Sequence, residues 1–517
     1  MRPHARARTR TPKGAARCHP PRTDARRRSI AARSGCRAPP SAPRSRTGPA
    51  RWRRAHRGWS VGIARRTTHA GRARPERRPR SRPAHQLRPA PTSAPPEEHS
   101  GTLGGMESTR EDRLFDPTDP AFLANPYPTY ARLRAEAPLL RFDPWDATIV
   151  TRYRDVDRLL RDKRLGRVME GTEKRPPNPA HEPFDRIQAG SLLEIEPPDH
   201  TRIKQVVHDV FTPRHVRELG ERITSLATRQ ADALARAVAE DGSADLITVF
   251  AEPIPVTVIA DLLGVPEVDR HQLLPWSKAI IGMFEPQRTP ESEAQAVEAA
   301  RAFAAYLRHL ADRKRTEPGN DLISRMVQVR ESDPRRLTDD ELVANGILFL
   351  NAGHEAVVNV LGNGVKALLE HPEQLAWLRA NPDGIPGAVE EMMRFDTPLQ
   401  FFERFVLSPF TFEADDGTHV AFEAGTKLAL YFASANHDPA VFEQPTRFDV
   451  TRSPNPHIAF GLGVHYCIGA PLARLELGRA VRALLDRFPT LALAEREVTY
   501  VPKNVFRYVT ELRVTSA

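Results

Sequence analysis

The chain has 517 residues, and its 76 basic against 65 acidic side chains give a net charge of +11 at neutral pH. It is long enough to bury a large core, and no uncharged apolar run approaches the roughly 18 residues of a membrane span, so a membrane-spanning protein is not expected. The charge is uneven: residues 1–105 hold 26 Arg and one Lys against four acids, which leaves the remaining 412 residues acidic, at −12.

Residues 1–105 also contain 15 of the 48 prolines and two of the three cysteines, Cys18 and Cys36, without sustained apolar periodicity. This composition predicts a disordered Arg/Pro-rich tail. Three readings of it stay open. Arginine runs neutralise phosphate as a nucleic-acid arm would, but only Trp52 and Trp59 could stack on bases, which argues against a nucleic-acid partner. Poverty in acids fits a transit peptide. The favoured reading makes the tail upstream sequence, with the natural start at Met106, just ahead of Phe115-Asp116-Pro117. In residues 106–517 Cys467 is the single cysteine, so no internal disulfide forms and a reducing cytoplasm suits the domain.

Along that domain, Asn125-Pro126-Tyr127-Pro128 leads into a short helix, and Ala147 to Thr151 reads as a strand followed by a helix. The expected fold class is therefore mainly α with small β-sheets. Residues 171–190, rich in proline and charge, predict a long loop. Asp199 to Lys204 starts a helix on which His200 and Lys204 share one face.

Thr338-Asp339-Asp340-Glu341 is a capping box, and with the next breaker at Pro372 the helix it opens runs about 32 residues, or roughly 48 Å. Its first half is nearly all apolar, so polar Asn351, His354 and Glu355 beside Gly353 need a reason other than burial. Gly353 costs about 1 kcal/mol relative to Ala inside a helix. Ala352 and Ala356 lie on one face with Gly353 near their midline, a shelf for something bulky or flat. Glu391 and Arg394, three apart on a later helix, read in isolation as an ordinary solvated ion pair.

The most informative stretch is Phe460-Gly461-Leu462-Gly463-Val464-His465-Tyr466-Cys467-Ile468-Gly469. Its glycines allow backbone to approach a planar ring. Pro471 fits a first helical turn, and Leu472, Leu475, Val481, Leu484 and Leu485 give that helix an apolar face. Cys467 thus sits at a helix N-terminus, where the dipole and amides favour the thiolate, a ligand for haem iron.

That stretch, running on through Leu472-Ala473-Arg474-Leu475-Glu476, resembles position by position the haem-binding signature of the cytochrome P-450 haem-thiolate monooxygenases, of the soluble bacterial class. The resemblance covers roughly Phe115 to the C-terminus and implies a single large domain over residues 106–517 holding haem b, with Cys467 as the metal ligand and Phe460, Gly461 and Gly469 beside the cofactor. It makes His200, Lys204, Arg404 and His457 propionate-binding residues, although Lys204 stands where the family has Arg and cannot form the bidentate fork. Glu391 and Arg394 match the structural Glu-any-any-Arg salt bridge. Ala352, Gly353, Glu355 and Ala356 resemble the oxygen-binding groove, a catalytic set in which the family's threonine is replaced at position 356.

The implied reaction inserts one oxygen atom from dioxygen into an apolar small molecule, by hydroxylation or epoxidation, in secondary metabolism. With no hydroxyl at Ala356, the substrate's own hydroxyl could order a water there, waters could run from Glu355 or His354, or the enzyme could use peroxide or carry out oxidative coupling. A non-catalytic haem-binding protein is the reading from another class. No flavin, dinucleotide or iron–sulfur motif follows the haem region, so electrons from NAD(P)H would arrive through a separate ferredoxin and ferredoxin reductase; Arg474, Arg479 and Arg482 read either as the face that meets an acidic ferredoxin or as a solvated helix face. The resemblance places the pocket among residues 171–190, Trp276 to Phe284, Phe349, Ala352 and Leu399 to Phe402.

Overall fold

A computed structural model describes residues 114–168, 178–285 and 288–516. The expected disordered tail and the first part of the expected pocket loop, residues 171–177, lie outside the described residues. The helices that frame the site are α1 (Tyr127–Glu136), α2 (Glu182–Ala189), α3 (Asp199–Val207), α4 (Gly220–Asp241), α5 (Pro253–Leu263), α6 (Leu273–Ile281), α7 (Pro290–Thr316), α8 (Asp339–Glu370), α9 (Ile385–Phe395) and α10 (Ala470–Arg487). Mostly helical with small sheets, the domain matches the expected class.

Helix α8 begins at the capping box read from the sequence: the Thr338 hydroxyl accepts from the Glu341 amide at 3.2 Å, and the Glu341 carboxylate accepts from the Thr338 amide at 2.8 Å. It runs 32 residues and packs against α5, α7, α9 and α10. Its buried apolar residues belong to the largest core cluster. Part of the expected 171–190 loop is helical, because Phe184 and Ile187, three apart on α2, turn one apolar face inward.

The largest sheet has five strands in the order Leu139–Phe142, Ala147–Val150, Lys427–Leu430, Phe402–Val406 and Leu165–Gly166. Antiparallel register sets Arg404 opposite Leu428 in its interior. A three-stranded sheet joins Ala244–Asp245, Arg513–Ser516 and Leu491–Leu493.

Glu391 and Arg394 of α9 depart furthest from a local reading. Both side chains are 0% exposed, and two parallel bonds of 2.8 Å join them. The same guanidinium donates to the carbonyls of Asn436, Pro445 and Arg447, and the same carboxylate accepts from Arg452, Asn455 and the Asp449 amide. Every lone pair and proton is committed, as a buried pair requires.

Arg394→Leu leaves the Glu391 charge buried with fewer partners and strips three carbonyls of their donor. The expected loss is about 3–5 kcal/mol, read as a lower urea midpoint at unchanged slope.

Candidate functional site

The Cys467 loop is shaped by two glycines with positive φ, Gly461 at +64° and Gly463 at +74°. A side chain at Gly463 would also run into the Leu160 carbonyl, so glycine is required there twice over. The Cys467 amide donates to the Phe460 carbonyl at 3.1 Å. Burial pushes the thiol above its ordinary pKa, against the pull of the Gly469 and Ala470 amides and of Arg474 and Lys204. The expected lowering by the helix N-terminus is therefore outweighed here, and a metal cation is what would turn this sulfur into a thiolate.

Beside this loop lies a cationic cluster. Arg404 is buried, 4% exposed, and it forms no ion pair among the described residues; its guanidinium donates to the Glu403 carbonyl. Burial, reinforced by Arg167, pushes it down to about 9. Arg167 is already neutralised by Glu194 at 2.8 Å, and both guanidinium groups lie over the Phe402 ring. On α3, His200 meets the His465 ring edge-on at 4.7 Å, and burial holds His200 down at about 4. Lys204 donates to the Val464 carbonyl at 3.0 Å, which ties α3 to the cysteine loop.

His457 does not join this cluster. Its Nε2 contacts the Glu390 carboxylate at 2.9 Å, and Glu390 also accepts two bonds from Arg474. The histidine that does join is His465, two residues before Cys467, with Nε2 3.1 Å from Glu196. The spacing to Cys467 was a signal for it; nothing local marked Arg167. Arg474 and Arg482 are spent on Glu390 and Asp486, while Arg479 is exposed.

On α8, Ala352 and Ala356 are exposed and Leu348 half-buried, a strip at fourfold spacing on a helix otherwise packed on all sides. Gly353 is not part of it: a Cβ there would lie 2.8 Å from Ile259 of α5, so this glycine serves close helix packing. Glu355 and His354 line a different space, a pocket of about 270 Å³ shared with Glu252, Lys278, Lys503 and Tyr508. His354 Nδ1 lies 2.8 Å from the Leu350 carbonyl, to which it donates as an N–H, and buried Nε2 has no hydrogen-bond partner, with Glu355 Oε2 3.7 Å away. That nitrogen is then a fixed acceptor turned toward a polar space large enough for water.

Of the expected pocket residues, Trp276 stacks on Phe303 of α7 at 5.2 Å and Phe349 meets Phe211 at 5.3 Å, so both serve the core. Phe284 meets Phe184 of α2. Gln400 and Phe401 are committed to Tyr130 and Tyr431, which leaves Leu399 and Phe402 half-buried.

A flat, dianionic macrocycle fits these residues on three counts. Arg404 is a buried cation with no direct ion pair among the described residues, Glu196 and Glu194 acting on it only from a distance. The strip of small residues on α8 is open where its neighbours are closed. At Gly469 a Cβ would make only ordinary contact, 3.8 Å from Cys467 Sγ, so the chain's own atoms do not explain that glycine.

The description "Cytochrome P450" belongs to the family model that matches residues 256–506. Cytochrome P450 monooxygenase PikC of Streptomyces venezuelae is 40% identical over 395 residues, covering 75% of this chain and 90% of that protein. 6-Deoxyerythronolide B hydroxylase of Saccharopolyspora erythraea is 38% identical over 375 residues, covering 71% and 89%. Among solved structures, P450BioI in complex with an acyl carrier protein ligated to hexadec-9Z-enoic acid has a TM-score of 0.70 at 35% identity, covering 77% of this chain and 99% of that one.

Arg404→Leu separates cofactor binding from folding. Haem release should accelerate by about tenfold or more as charge-assisted bonds are lost, while the cofactor-free chain keeps or gains stability because an unpaired buried cation is gone. Release to excess apomyoglobin and urea unfolding measure the two effects. A second expectation concerns Glu390, which burial pushes up and Arg474 with His457 hold at about 2. A depressed carboxylate stabilises above its unfolded pKa and loses that contribution as pH falls through the folded value. The stability gap between the parent and Glu390→Gln should therefore be constant above about pH 5 and vanish toward pH 2.

Proposed function

Given that the chain belongs to the cytochrome P450 family and is an oxygen-incorporating oxidoreductase with haem iron, we propose that residues 106–517 hold that iron through Cys467 and oxidise an apolar small molecule of secondary metabolism. The observation that carries the site assignment is the buried Arg404 guanidinium, which no carboxylate pairs directly among the described residues, in the cluster next to the cysteine loop. Arg404, His200, Lys204 and His465 would hold the two propionates, with Glu194 paired to Arg167 and Glu196 in contact with His465. Haem held there would supply the one-electron and dioxygen chemistry, tuned by the Cys467 sulfur that would ligate its iron.

The protein's part is to orient the substrate, exclude water and deliver protons. Ala352 and Ala356 supply a smooth wall without a hydroxyl. Glu355 then lies between that wall and the polar pocket in which His354 Nε2 waits as an acceptor, so water ordered there, together with a hydroxyl on the substrate, supports proton delivery that the family's threonine would otherwise provide. Electrons would come from NAD(P)H through a ferredoxin and its reductase in the cytoplasm. Among the described residues no helix is long and apolar enough to cross a membrane.

Titrating the ferric spectrum of the haem-containing chain with macrolactones, terpenoids, fatty acids and aromatic peptides tests the substrate class. A shift toward the high-spin form identifies the binding class, and silence across the panel counts against a free small-molecule substrate. With a binding compound in hand, Ala356→Thr should change the fraction of reducing equivalents lost as peroxide several-fold, since general acid–base groups contribute about 10²–10⁴. Unchanged leakage and product yield would remove position 356 from the proton path.

A further inference from the structure

Glu285, one turn beyond the end of α6, is a buried carboxylate, 4% exposed, that the proposed chemistry does not use. Its two oxygens accept three backbone N–H groups from a single loop: Asn504 at 3.1 Å and Val505 at 3.2 Å on Oε2, and Phe506 at 3.3 Å on Oε1. Successive amides converging on one anion make a nest. The main-chain carbonyl of Glu285 is held in turn by Arg288 at 2.6 Å.

The opposite side of the loop is sewn to the segment before the Arg404 strand. Gln400 donates its amide to the Val505 carbonyl at 2.9 Å, Arg507 donates its amide to the Pro398 carbonyl at 2.8 Å, and Leu399 pairs with Phe506. Arg507 ends on buried Asp396 at 2.8 Å. The loop thus has a rigid attachment to residues 396–400 and a single carboxylate reaching it from α6. The 270 Å³ pocket at Glu355 lies across the same junction, with Leu274, Lys278 and Ile281 of α6 on one side and Val501, Lys503 and Tyr508 on the other.

We propose that Glu285 is a positioning residue that fixes the spacing between α6 and the Leu399–Phe402 wall, and so decides which ligand sizes the space over the cofactor admits. This rests on the haem-site reading proposed above. A carboxylate is the group the geometry needs, because both of its oxygens accept. An amide in its place can keep its oxygen on Asn504 and Val505 but turns its NH₂ toward the Phe506 N–H, so Glu285→Gln should release Phe506 while preserving shape, and Glu285→Ala should release all three.

The test uses the full chain with haem and two nitrogen ligands read from the ferric spectrum, imidazole as a small probe and 4-phenylimidazole as one that reaches the walls. Hydrogen exchange over residues 500–508 is followed in parallel. The Phe506 amide in both variants, and those of Asn504 and Val505 in Glu285→Ala, should exchange about tenfold faster or more. The affinity for 4-phenylimidazole should change by about tenfold, with imidazole unchanged. Faster exchange with neither ligand affected, or with both affected alike, overturns the positioning role, and unchanged exchange overturns the clamp. If imidazole leaves the spectrum of the unsubstituted protein unaltered, the haem-site reading itself fails and the inference falls with it.

Discussion

The buried pair of Glu391 and Arg394 is the interaction on which the remaining geometry depends. Removing two charges from water costs several kcal/mol per ion unless every donor and acceptor is satisfied, and here the satisfaction comes from one stretch of chain, Asn436 to Asn455. The pair therefore fixes a segment that has little regular structure of its own. Asn436, whose carbonyl Arg394 holds, accepts the Ile458 amide on its side chain at 2.8 Å, so the order imposed at the pair passes directly to the entrance of the Cys467 loop.

Electrostatics at the site describe a fold completed by its ligand. A thiol raised by burial and a guanidinium lowered by burial lie close to the same loop, the guanidinium still charged at neutral pH. A cationic metal bound to sulfur and carboxylates placed on the guanidinium reverse both shifts together. Binding free energy of this kind is also stabilisation of the native state, so the holoprotein should be more robust than its core alone would make it. The acidic body of the chain leaves the cluster conspicuous: Glu194 pairs with Arg167, Glu196 lies 3.1 Å from His465, and Arg404 has no direct carboxylate partner among the described residues.

Much of this was legible in the sequence wherever the signal was local. The capping box at Thr338 and the breaker at Pro372 bounded α8 as observed, and the glycines around Cys467 marked a loop that tolerates positive φ. What was not legible depends on contacts far apart in the chain. Gly353 looked like part of a shelf with Ala352, but a neighbouring helix claims it through Ile259. His457 and His465 are both histidines within ten residues of Cys467, and only Glu390 and Glu196, far off in the chain, give them different surroundings. Trp276 faces Phe303 because α7 packs across α6, which no pattern within α6 announces. Glu285 bonds to backbone amides more than two hundred residues away, and backbone amides carry no residue-specific signal.

The missing hydroxyl at position 356 leaves the two faces of α8 with different tasks. One face offers bare alanines, which suits a bulky apolar guest. The other carries Glu355 and His354 into a polar pocket, which keeps titratable groups near the reaction without placing them against the guest.

The central claim is that Cys467 binds haem iron as a thiolate, and the carbon monoxide difference spectrum of the reduced, haem-containing full chain tests it most directly. The account predicts the strongly red-shifted Soret band of a thiolate-ligated haem, and its loss in Cys467→Ala under conditions that leave helix content unchanged. A band of the histidine-ligated type in the parent protein, or an unaltered spectrum after the substitution, would contradict it.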